Sequence, residues 1–483
     1  MAPVASKNTS SSNSKLHIAM FPWFAMGHMT PYVHLANELA KRGHKITFLL
    51  PNKARLALHH LNRYPNLITF HIITVPNVDG LPLGTETASE IPLSLNHLLV
   101  VAMDKTRNQV EQVMKSTKPH FVLFDVAYWV PEAAKKLGIK TICYHVVSAM
   151  SMAMSFVPAK IIPKDRPLTV EDMSQPPPGY PSSSNSKLVL RRYEAEQQMF
   201  ASIPFGEGGV TLYDRTTTGL RECDAIAIKT TTEVEGCFCD YIAIQYHKNV
   251  LLTGPVLSEE AEGEELEERW AKWLDGLGLG LGLGLGPVVY CAFGSQVILG
   301  KAQFQEILLG LEISGFPFLV ALKAPEGCAT VDEALPEGFE ERVKGRGMVS
   351  RGWVPRSLIL KHGSVGCFVS HCGHGSMWES LIFDKQMVVV PHMADQVMNS
   401  KLVVDELEVA VAVERGEDDG WVSKEGLSEA IKSVMEEGSE LGARLKNNQA
   451  TWKERGWCPK VLNGYIDRFV QELHQELPSK VIN

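Results

Sequence analysis

The chain has 483 residues, 45% of them hydrophobic and 21% charged, a composition typical of soluble globular proteins and a length that predicts two domains. Its formal net charge of −8, without a Lys/Arg cluster interleaved with aromatic residues, argues against nucleic acid as a partner. No apolar stretch is long enough to span a bilayer, and residues 1–15 lack the apolar core of a secretory signal. Nine scattered cysteines indicate reduced thiols, so we expect a cytoplasmic protein. We also expect residues 1–15, which are rich in Ser and Asn, to form a disordered tail.

Strand-like and helix-like segments alternate from residue 16 onwards, and this alternation predicts a doubly wound parallel sheet in a first domain over 16–255. Helices are predicted at about 30–41 and 93–114, and a Pro/Ser-rich surface loop at 176–186. The predicted strands of this half are 16–21, 45–50, 70–75, 121–124, 140–144, 225–228 and 250–252.

A histidine and an aspartate follow two of these strands. The loop 23–31 leads from the first strand into a helix with capping signals at Thr30 and Pro31, so His28 lies at the carboxyl edge of the sheet. His28 is a candidate general base, because an imidazole pKa near neutrality suits proton removal from an alcohol; the alternative is a loop histidine that ties the turn together. Asp125 closes strand 121–124 and is the candidate acid that orients His28; the alternative is an N-cap for a helix near Pro131.

A linker over 256–287 is predicted between the two halves. It contains the acidic residues 258–269 and a strict Leu-Gly repeat from Gly276 to Gly286. Glycine at alternate positions disfavours helix and strand, so we interpret the repeat as an exposed flexible loop without a function. A second alternation follows over 288–458, with strands predicted at 288–293, 318–322, 348–349, 365–370, 387–391 and 409–413.

Two strands of the second half each end in polar residues. Strand 365–370 leads into His371 and the glycine-rich residues before Ser376, where a helix begins, and helix N-termini bind anions such as a diphosphate. Strand 387–391 delivers Asp395 and Gln396 to the same edge, and a carboxylate beside an amide suits sugar hydroxyls. The His-Cys-x-His spacing from His371 is not a zinc spacing, so no metal is expected. These features predict a nucleotide-sugar site.

The segment from Trp353 to Gln396 resembles the signature box of the plant family 1 UDP-dependent glycosyltransferases. It contains Trp-x-Pro at its start, His-Cys-Gly at His371, Ser-x-x-Glu ending at Glu379, and Pro-x-x-x-Asp-Gln at its close. The resemblance implies the GT-B fold, in which two Rossmann-like doubly wound parallel-sheet domains face each other across a cleft. It also implies that the last helix, in a segment 459–483, returns to the first domain.

The resemblance further implies roles for individual residues. Trp353 would stack on the uracil and Glu379 would hold the ribose, while His371 and Ser376 would bind the diphosphate. Asp395 and Gln396 would hold the transferred sugar, and His28 with Asp125 would be the base and its partner. The remaining expected donor contacts are Gly27, Ser295, Val354, Arg356, Gly373 and Gly375.

Three residues depart from the common family pattern, which has Gln at Arg356, Trp at His374 and Asn at Gly375. Because Gly375 offers only backbone and His374 replaces a large aromatic surface, the donor sugar stays open: UDP-glucose is favoured from Gln396, with UDP-xylose and UDP-rhamnose as alternatives. The sequence HCGHGSMWESL is most similar to that of the branch-forming subgroup, whose members add a sugar to an existing sugar.

The expected function is therefore inverting O-glycosyl transfer, without a cofactor, from a UDP-sugar to a flavonoid glycoside or a similar small molecule, by a monomer. Met-rich residues 150–154 with Trp129 and Phe200 suggest an apolar, planar acceptor, bound among loops 78–91, 146–156 and 194–205. One alternative is transfer to aglycone hydroxyls of flavonoids or terpenoids. Another is a non-catalytic sugar-nucleotide or small-molecule binding protein, which would not need both His28 and Asp125. A nicotinamide-dependent oxidoreductase is disfavoured because neither half opens with a dinucleotide fingerprint.

Overall fold

The computed structural model describes residues 14–163, 165–181, 188–257, 265–277 and 287–477. The predicted tail 1–15, the acidic segment 258–269 and the Leu-Gly repeat lie largely outside these residues, as does much of the predicted loop 176–186. Within the described part of the chain, no helix is long and apolar enough to cross a membrane.

The first sheet has, among the described residues, seven parallel strands in the order β3-β2-β1-β4-β5-β6-β7. They are β1 (His17–Phe21), β2 (Lys45–Leu50), β3 (Ile68–Ile72), β4 (Phe121–Phe124), β5 (Lys140–His145), β6 (Ala225–Ile228) and β7 (Val250–Leu252). Phe21 of β1 pairs with Phe124 of β4. The residues that follow these two strands therefore leave the same edge of the sheet side by side.

Both faces of this sheet are buried, because alternate residues of β1 belong to two different hydrophobic clusters. The helices of this half are α1 (Met26–Lys41), α2 (Asn52–Leu58), α3 (Asn96–Asp104), α4 (Arg107–Thr117), α5 (Val130–Lys135), α6 (Ala149–Ser155), α7 (Val170–Ser174), α8 (Arg192–Glu196), α9 (Leu212–Glu222) and α10 (Thr232–Tyr246). Burial on both faces explains why the strands are apolar along their whole length.

Two helix predictions were wrong at their boundaries. Helix α1 begins at Met26 instead of about residue 30, so His28 lies in its first turn and Pro31 lies inside the helix. Pro31 is the sixth residue of α1, where it lacks the N–H that would bond the carbonyl oxygen of Gly27, a cost that the rest of the helix tolerates. The helix predicted over 93–114 is two helices, α3 and α4, and the hydroxyl of Thr106 between them donates to the carbonyl oxygen of Met103 at 2.6 Å.

The second sheet has, in the described residues, six parallel strands in the order β10-β9-β8-β11-β12-β13. They are β8 (Val288–Ala292), β9 (Phe318–Ala321), β10 (Gly347–Val349), β11 (Val365–Ser370), β12 (Gln386–Val389) and β13 (Ala410–Ala412). Ser370 pairs with Ala292 on one side and with Val389 on the other. The loops after β8, β11 and β12 therefore converge at one edge.

The helices of the second half are α11 (Glu268–Leu277), α12 (Lys301–Ser314), α13 (Phe339–Arg342), α14 (Arg356–Lys361), α15 (His374–Ile382), α16 (Gln396–Lys401), α17 (Lys424–Met435), α18 (Glu440–Trp452) and α19 (Pro459–Glu476). Short π-helical segments extend α16 over Leu402–Glu406 and α18 over Lys453–Trp457. Buried residues of both halves join in one continuous hydrophobic cluster, which includes Trp378 of α15 and Phe238 of α10.

Helix α19 packs on the first sheet. Its residues Phe469 and Leu473 are fully buried in the hydrophobic cluster that contains β1, β2 and α1. Its Tyr465 hydroxyl oxygen accepts a hydrogen bond from the backbone N–H of Thr232 at 2.7 Å, and Arg42, the C-cap residue of α1, donates to Asp467 at 2.7 Å. The end of the chain thus completes the core of the first half.

We expect Phe469→Ala to lower the free energy of unfolding by about 3–5 kcal/mol, because it leaves a cavity between α19 and the first sheet. The control is Gln471→Ala on the exposed face of the same helix, which should change stability by less than about 0.5 kcal/mol. Chemical denaturation followed by tryptophan fluorescence measures both. Equal stabilities of the two variants would contradict the packing described for α19.

Candidate functional site

The structure brings His28 and Asp125 together. The Nδ1 atom of His28 lies 2.7 Å from Oδ2 of Asp125, whose side chain is only 1% exposed. The other carboxylate oxygen accepts hydrogen bonds from the backbone N–H groups of Trp23 at 2.7 Å and Val126 at 2.6 Å. Because a carboxylate only accepts, Nδ1 of His28 carries the proton and Nε2 is left with its lone pair.

This geometry is that of a base with its orienting acid. The His28 side chain is 25% exposed, so part of the imidazole is open to solvent, as a general base requires. The alternative role of Asp125 as an N-cap is wrong in this structure, because α5 begins at Val130 and its N-cap is Trp129. His28 lies in the first turn of α1 and not in a loop, although its bond to Asp125 also connects the segments that follow β1 and β4.

A second histidine lies near this pair. His145, the last residue of β5, is buried, and its Nε2 is 3.2 Å from Sγ of Cys143. Burial lowers the pKa of His145 to about 4, although Asp125 opposes that shift. His145 is therefore neutral near pH 7 and adds no positive charge beside His28.

Helix α15 presents an uncapped N-terminus at the edge of the second sheet. Its N-cap is Gly373, no side chain caps it, and no acidic residue lies in its first turn. The backbone N–H groups at the start of α15 therefore favour a negatively charged ligand, and Ser376 lies buried in the same turn. This is the place where the sequence predicts a diphosphate.

The imidazole of His371 fits between two glycines. A Cβ atom at Gly373 would lie 2.6 Å from Nε2 of His371, and a Cβ at Gly294 would lie 2.9 Å from the same atom. Burial and, to a lesser degree, Arg356 lower the pKa of His371 to about 3. The ring is therefore neutral near pH 7 and brings no positive charge to the place predicted for the diphosphate.

Several predicted donor contacts are open to solvent. Trp353 is 76% exposed, while the adjacent Val354 is buried and anchors the segment. Ser295 is exposed in the turn that follows β8, and Gly27 is exposed in the first turn of α1. An exposed indole has a free face for a base to stack on.

Arg356 and Glu379 form an ion pair. The Nε of Arg356 donates to Oε2 of Glu379 at 2.5 Å, and a terminal nitrogen donates to Oε1 at 3.1 Å. The Ser357 hydroxyl also donates to Oε1, at 2.9 Å. Arg356 and Ser357 help to keep the pKa of the buried Glu379 carboxyl lowered, although burial opposes them.

Two departures from the family pattern are neighbours in space. A Cβ atom at Gly375 would have one side-chain neighbour within 4 Å among the described residues. This neighbour is a terminal guanidinium nitrogen of Arg356, at 4.0 Å. The longer side chain at 356 thus extends towards the position where the shorter residue at 375 leaves room.

Asp395 is the N-cap residue of α16 and follows Ala394, whose positive φ of 48° turns the chain sharply. Its Oδ2 accepts a hydrogen bond from Nδ2 of Asn399 at 2.8 Å. Burial raises the pKa of the Asp395 carboxyl, and among the groups that oppose this shift is His28 from the first half. The polar clusters of the two sheets therefore face each other.

Gln396 is held by the loop that precedes it. Its Oε1 accepts hydrogen bonds from the backbone N–H groups of His392 at 3.0 Å and Met393 at 3.2 Å. This arrangement fixes which end of the amide is the oxygen. The amide N–H groups remain to donate to a ligand such as a sugar hydroxyl.

His374 does not face the sugar position as its place in the signature suggested. Its Nδ1 donates to the carbonyl oxygen of Val146 in the first half at 2.8 Å, and its Nε2 accepts from Nε1 of Trp378 at 3.0 Å. Burial lowers the pKa of His374 to about 3, which fits a neutral ring with one donor and one acceptor. The side chain thus links the two halves.

The residues proposed for the acceptor differ in exposure. Met150, Met152 and Met154 are buried in the hydrophobic core, because α6 packs between α10 and α16. Trp129 is buried as well, whereas Phe200 is 38% exposed. Of this set, only Phe200 is open to a ligand in this structure.

Two buried charged residues were missed in the sequence. Lys229 follows β6, and Glu235 lies in α10 with its Oε1 accepting from the backbone N–H of Met150 at 2.9 Å. The signal for Lys229 was available, since it follows an apolar strand in the same way as Asp125 follows β4. In the described ranges, no group of three His, Cys, Asp or Glu residues is arranged to hold a metal ion.

Comparison with known proteins gives close relatives. A family model described as UDP-glucoronosyl and UDP-glucosyl transferase matches residues 289–444. The chain is 52% identical to UDP-glycosyltransferase 79B3 of Arabidopsis thaliana, over 96% of this chain and 98% of that protein. It is 51% identical to anthocyanidin 3-O-glucoside 2'''-O-xylosyltransferase of Arabidopsis thaliana, with the same two coverages of 96% and 98%.

Solved structures share the fold. Arabidopsis thaliana UGT89C1 complexed with UDP-L-rhamnose matches with a TM-score of 0.72 and 22% identity, over 95% of this chain and 99% of that chain. Glycyrrhiza uralensis UGT73P12 complexed with glycyrrhetinic acid 3-O-monoglucuronide matches with a TM-score of 0.78 and 22% identity, over 97% of each chain.

We expect Gly373→Ala to weaken UDP binding by about tenfold, because the new Cβ displaces His371 from its place beside the predicted diphosphate site. The matched control is Gly300→Ala at the N-cap of α12, where the backbone has nearly the same φ and ψ (−65° and 150°, against −61° and 147°) and a Cβ would meet nothing within 4 Å. Titration calorimetry with UDP measures both variants. If they bind UDP equally, His371 is not a diphosphate contact.

Proposed function

The chain belongs to the plant family 1 UDP-glycosyltransferases and has their GT-B fold, and we propose that its acceptor is a flavonoid glycoside whose attached sugar supplies the reacting hydroxyl. The observation that carries this proposal is the 51% identity, over 96% of the chain, to a relative that transfers xylose to an anthocyanidin 3-O-glucoside. The exposed Phe200 supports an apolar part of the acceptor at the mouth of the cleft.

We propose that His28 and Asp125 perform the proton transfer. Nε2 of His28 takes the proton of the acceptor hydroxyl while the oxygen attacks the anomeric carbon of the donor sugar. The bond from that carbon to the β-phosphate oxygen breaks, its electron pair leaves with UDP, and the configuration inverts. Asp125, fixed by two backbone N–H groups, stabilises the imidazolium that forms.

In the same proposal, the second half holds the donor. Trp353 stacks on the uracil and Glu379 binds the ribose with lone pairs that Arg356 and Ser357 leave free. The α15 N-terminus, with the neutral ring of His371 and the hydroxyls of Ser376 and Ser295, stabilises the charge that grows on the leaving diphosphate. Asp395 and the free amide N–H groups of Gln396 bind the sugar hydroxyls.

Two UDP-sugars are the leading donor candidates. The amide of Gln396 supports UDP-glucose, since its N–H groups are free to donate to a hexose hydroxyl. The xylosyltransferase relative supports UDP-xylose. We further propose a cytoplasmic monomer, which the nine free cysteines support as far as the reducing compartment is concerned.

His28→Ala is expected to lower the rate of UDP release by about 10²–10⁴-fold, and Asp125→Asn by a similar factor, because each removes part of the proton transfer. Both variants should still bind UDP in titration calorimetry, since neither residue lies in the second half. His60→Ala, an exposed histidine, is the control and should keep wild-type turnover. Wild-type protein that binds UDP but never turns over would instead support a non-catalytic binding protein.

The acceptor is tested with a panel of flavonoid aglycones and their 3-O-glucosides against UDP-glucose, UDP-xylose and UDP-rhamnose. We expect wild-type protein to add one sugar to the glucosides. Its turnover of aglycones should be slower by about tenfold or more, which corresponds to about 1.4 kcal/mol of discrimination. Mass spectrometry with fragmentation identifies the product and shows whether the new sugar is attached to the existing one. Faster turnover of aglycones would overturn the glycoside proposal and favour transfer to aglycone hydroxyls.

A further inference from the structure

The residue that follows β6, Lys229, is a buried cation in the cleft. Its side chain is 2% exposed, and its backbone N–H donates to the carbonyl oxygen of His145 at 3.0 Å. Within the described residues, its ammonium makes no hydrogen bond and lies within 4.0 Å of no carboxylate oxygen. Burial lowers the pKa of Lys229 to about 8, which reflects the cost of holding an ammonium away from water without a partner.

The groups that act on Lys229 place it opposite the donor site. Glu379 and Arg356 of the second half both affect its pKa, the first raising and the second lowering it. Lys229 in turn acts on His34 of α1 and on His374 at the start of α15. Hydrogen bonds give the same position, because the backbone N–H of Lys229 donates to the carbonyl oxygen of His145, and the carbonyl oxygen of the next residue, Val146, accepts from His374 at the start of α15 at 2.8 Å.

Glu379 attracts Lys229, but no carboxylate of the described residues forms an ion pair with it. Glu379 is already engaged by both arms of the Arg356 guanidinium. The other buried carboxyl near the interface, Glu235, lies 4.0 Å from Nε2 of His374, and burial raises its pKa to about 7. His34 and His374 are neutral near pH 7, because burial lowers the pKa of the first to about 4 and that of the second to about 3.

We propose that Lys229 binds the diphosphate of the UDP-sugar from the first half, opposite the N-terminus of α15. The inference rests on the proposed function, because it takes the donor to lie at α15. A diphosphate between these two groups would give the ammonium its missing partner, and it would connect the two halves through the ligand. As the bond to the anomeric carbon breaks, the electron pair moves onto UDP, and Lys229 stabilises the added negative charge.

The competing role for Lys229 is purely structural, in which it only offsets the charge of Glu379. The two roles predict different ligand dependence. If Lys229 contacts the diphosphate, removing its ammonium weakens the binding of UDP. It does not weaken the binding of uridine, which has the base and ribose but no phosphate. A role through Glu379 affects uridine and UDP alike, because Glu379 is the proposed ribose contact.

The test compares the affinities of UDP and uridine for wild type, Lys229→Met and Lys229→Arg by titration calorimetry. We expect Lys229→Met to weaken UDP by about 10–100-fold and to leave uridine within about twofold, while Lys229→Arg keeps most of the UDP affinity. Methionine fills a similar volume and removes a buried charge, so the variant should fold, and the UDP-to-uridine ratio is internal to each protein.

Lys160→Met is the matched control. Lys160 is also buried, and burial likewise lowers its pKa to about 8, but its ammonium already donates to the carbonyl oxygens of Asp172 at 2.9 Å and Gln175 at 2.8 Å. This variant should leave the ratio unchanged. If Lys229→Met leaves the UDP-to-uridine affinity ratio unchanged, even with both affinities lowered, the inference is overturned while the donor site stands. Wild-type protein that binds neither ligand would overturn the donor site itself.

Discussion

The first half of the cleft depends on one buried carboxylate. Asp125 holds the loop after β1 through Trp23, the start of its own loop through Val126, and the imidazole of His28, so three segments are fixed by a single side chain. This is possible because β1 and β4 are adjacent and in register at their carboxyl ends. The position of the histidine therefore follows from strand order, and its tautomer follows from the fact that a carboxylate can only accept hydrogen bonds.

In the second half, backbone groups and neutral rings take the place of charged side chains around the α15 N-terminus. Burial keeps His371, His374 and His392 uncharged, because it lowers the pKa of each to about 3. An anion at α15 would meet N–H groups that are already oriented and do not need to reorganise. Of the charged groups in this region, Arg356 approaches the helix start at Gly375 but is paired with Glu379, and Lys229 lies on the opposite wall.

The sequence predicted the strands well because apolar, β-branched runs have few alternatives in a parallel sheet. Residues at strand ends followed from this, and the contact between His28 and Asp125 was predicted from their places after β1 and β4. The start of α1 was missed because Thr30 and Pro31 resemble capping residues, whereas the N-cap is Ala25, which carries no capping side chain, and His28 in the first turn is held by the distant Asp125. The interface role of His374 and the burial of Lys229 depend on how the two halves pack, which no local pattern contains.

The return of α19 to the first sheet also has a mechanical consequence. The chain passes from the first half to the second between β7 and α11, and it passes back between α18 and α19. A body attached at one point can rotate about any axis, but a body attached at two points rotates freely only about the line that joins them. The return of α19 therefore limits the ways in which the two polar edges can move relative to each other.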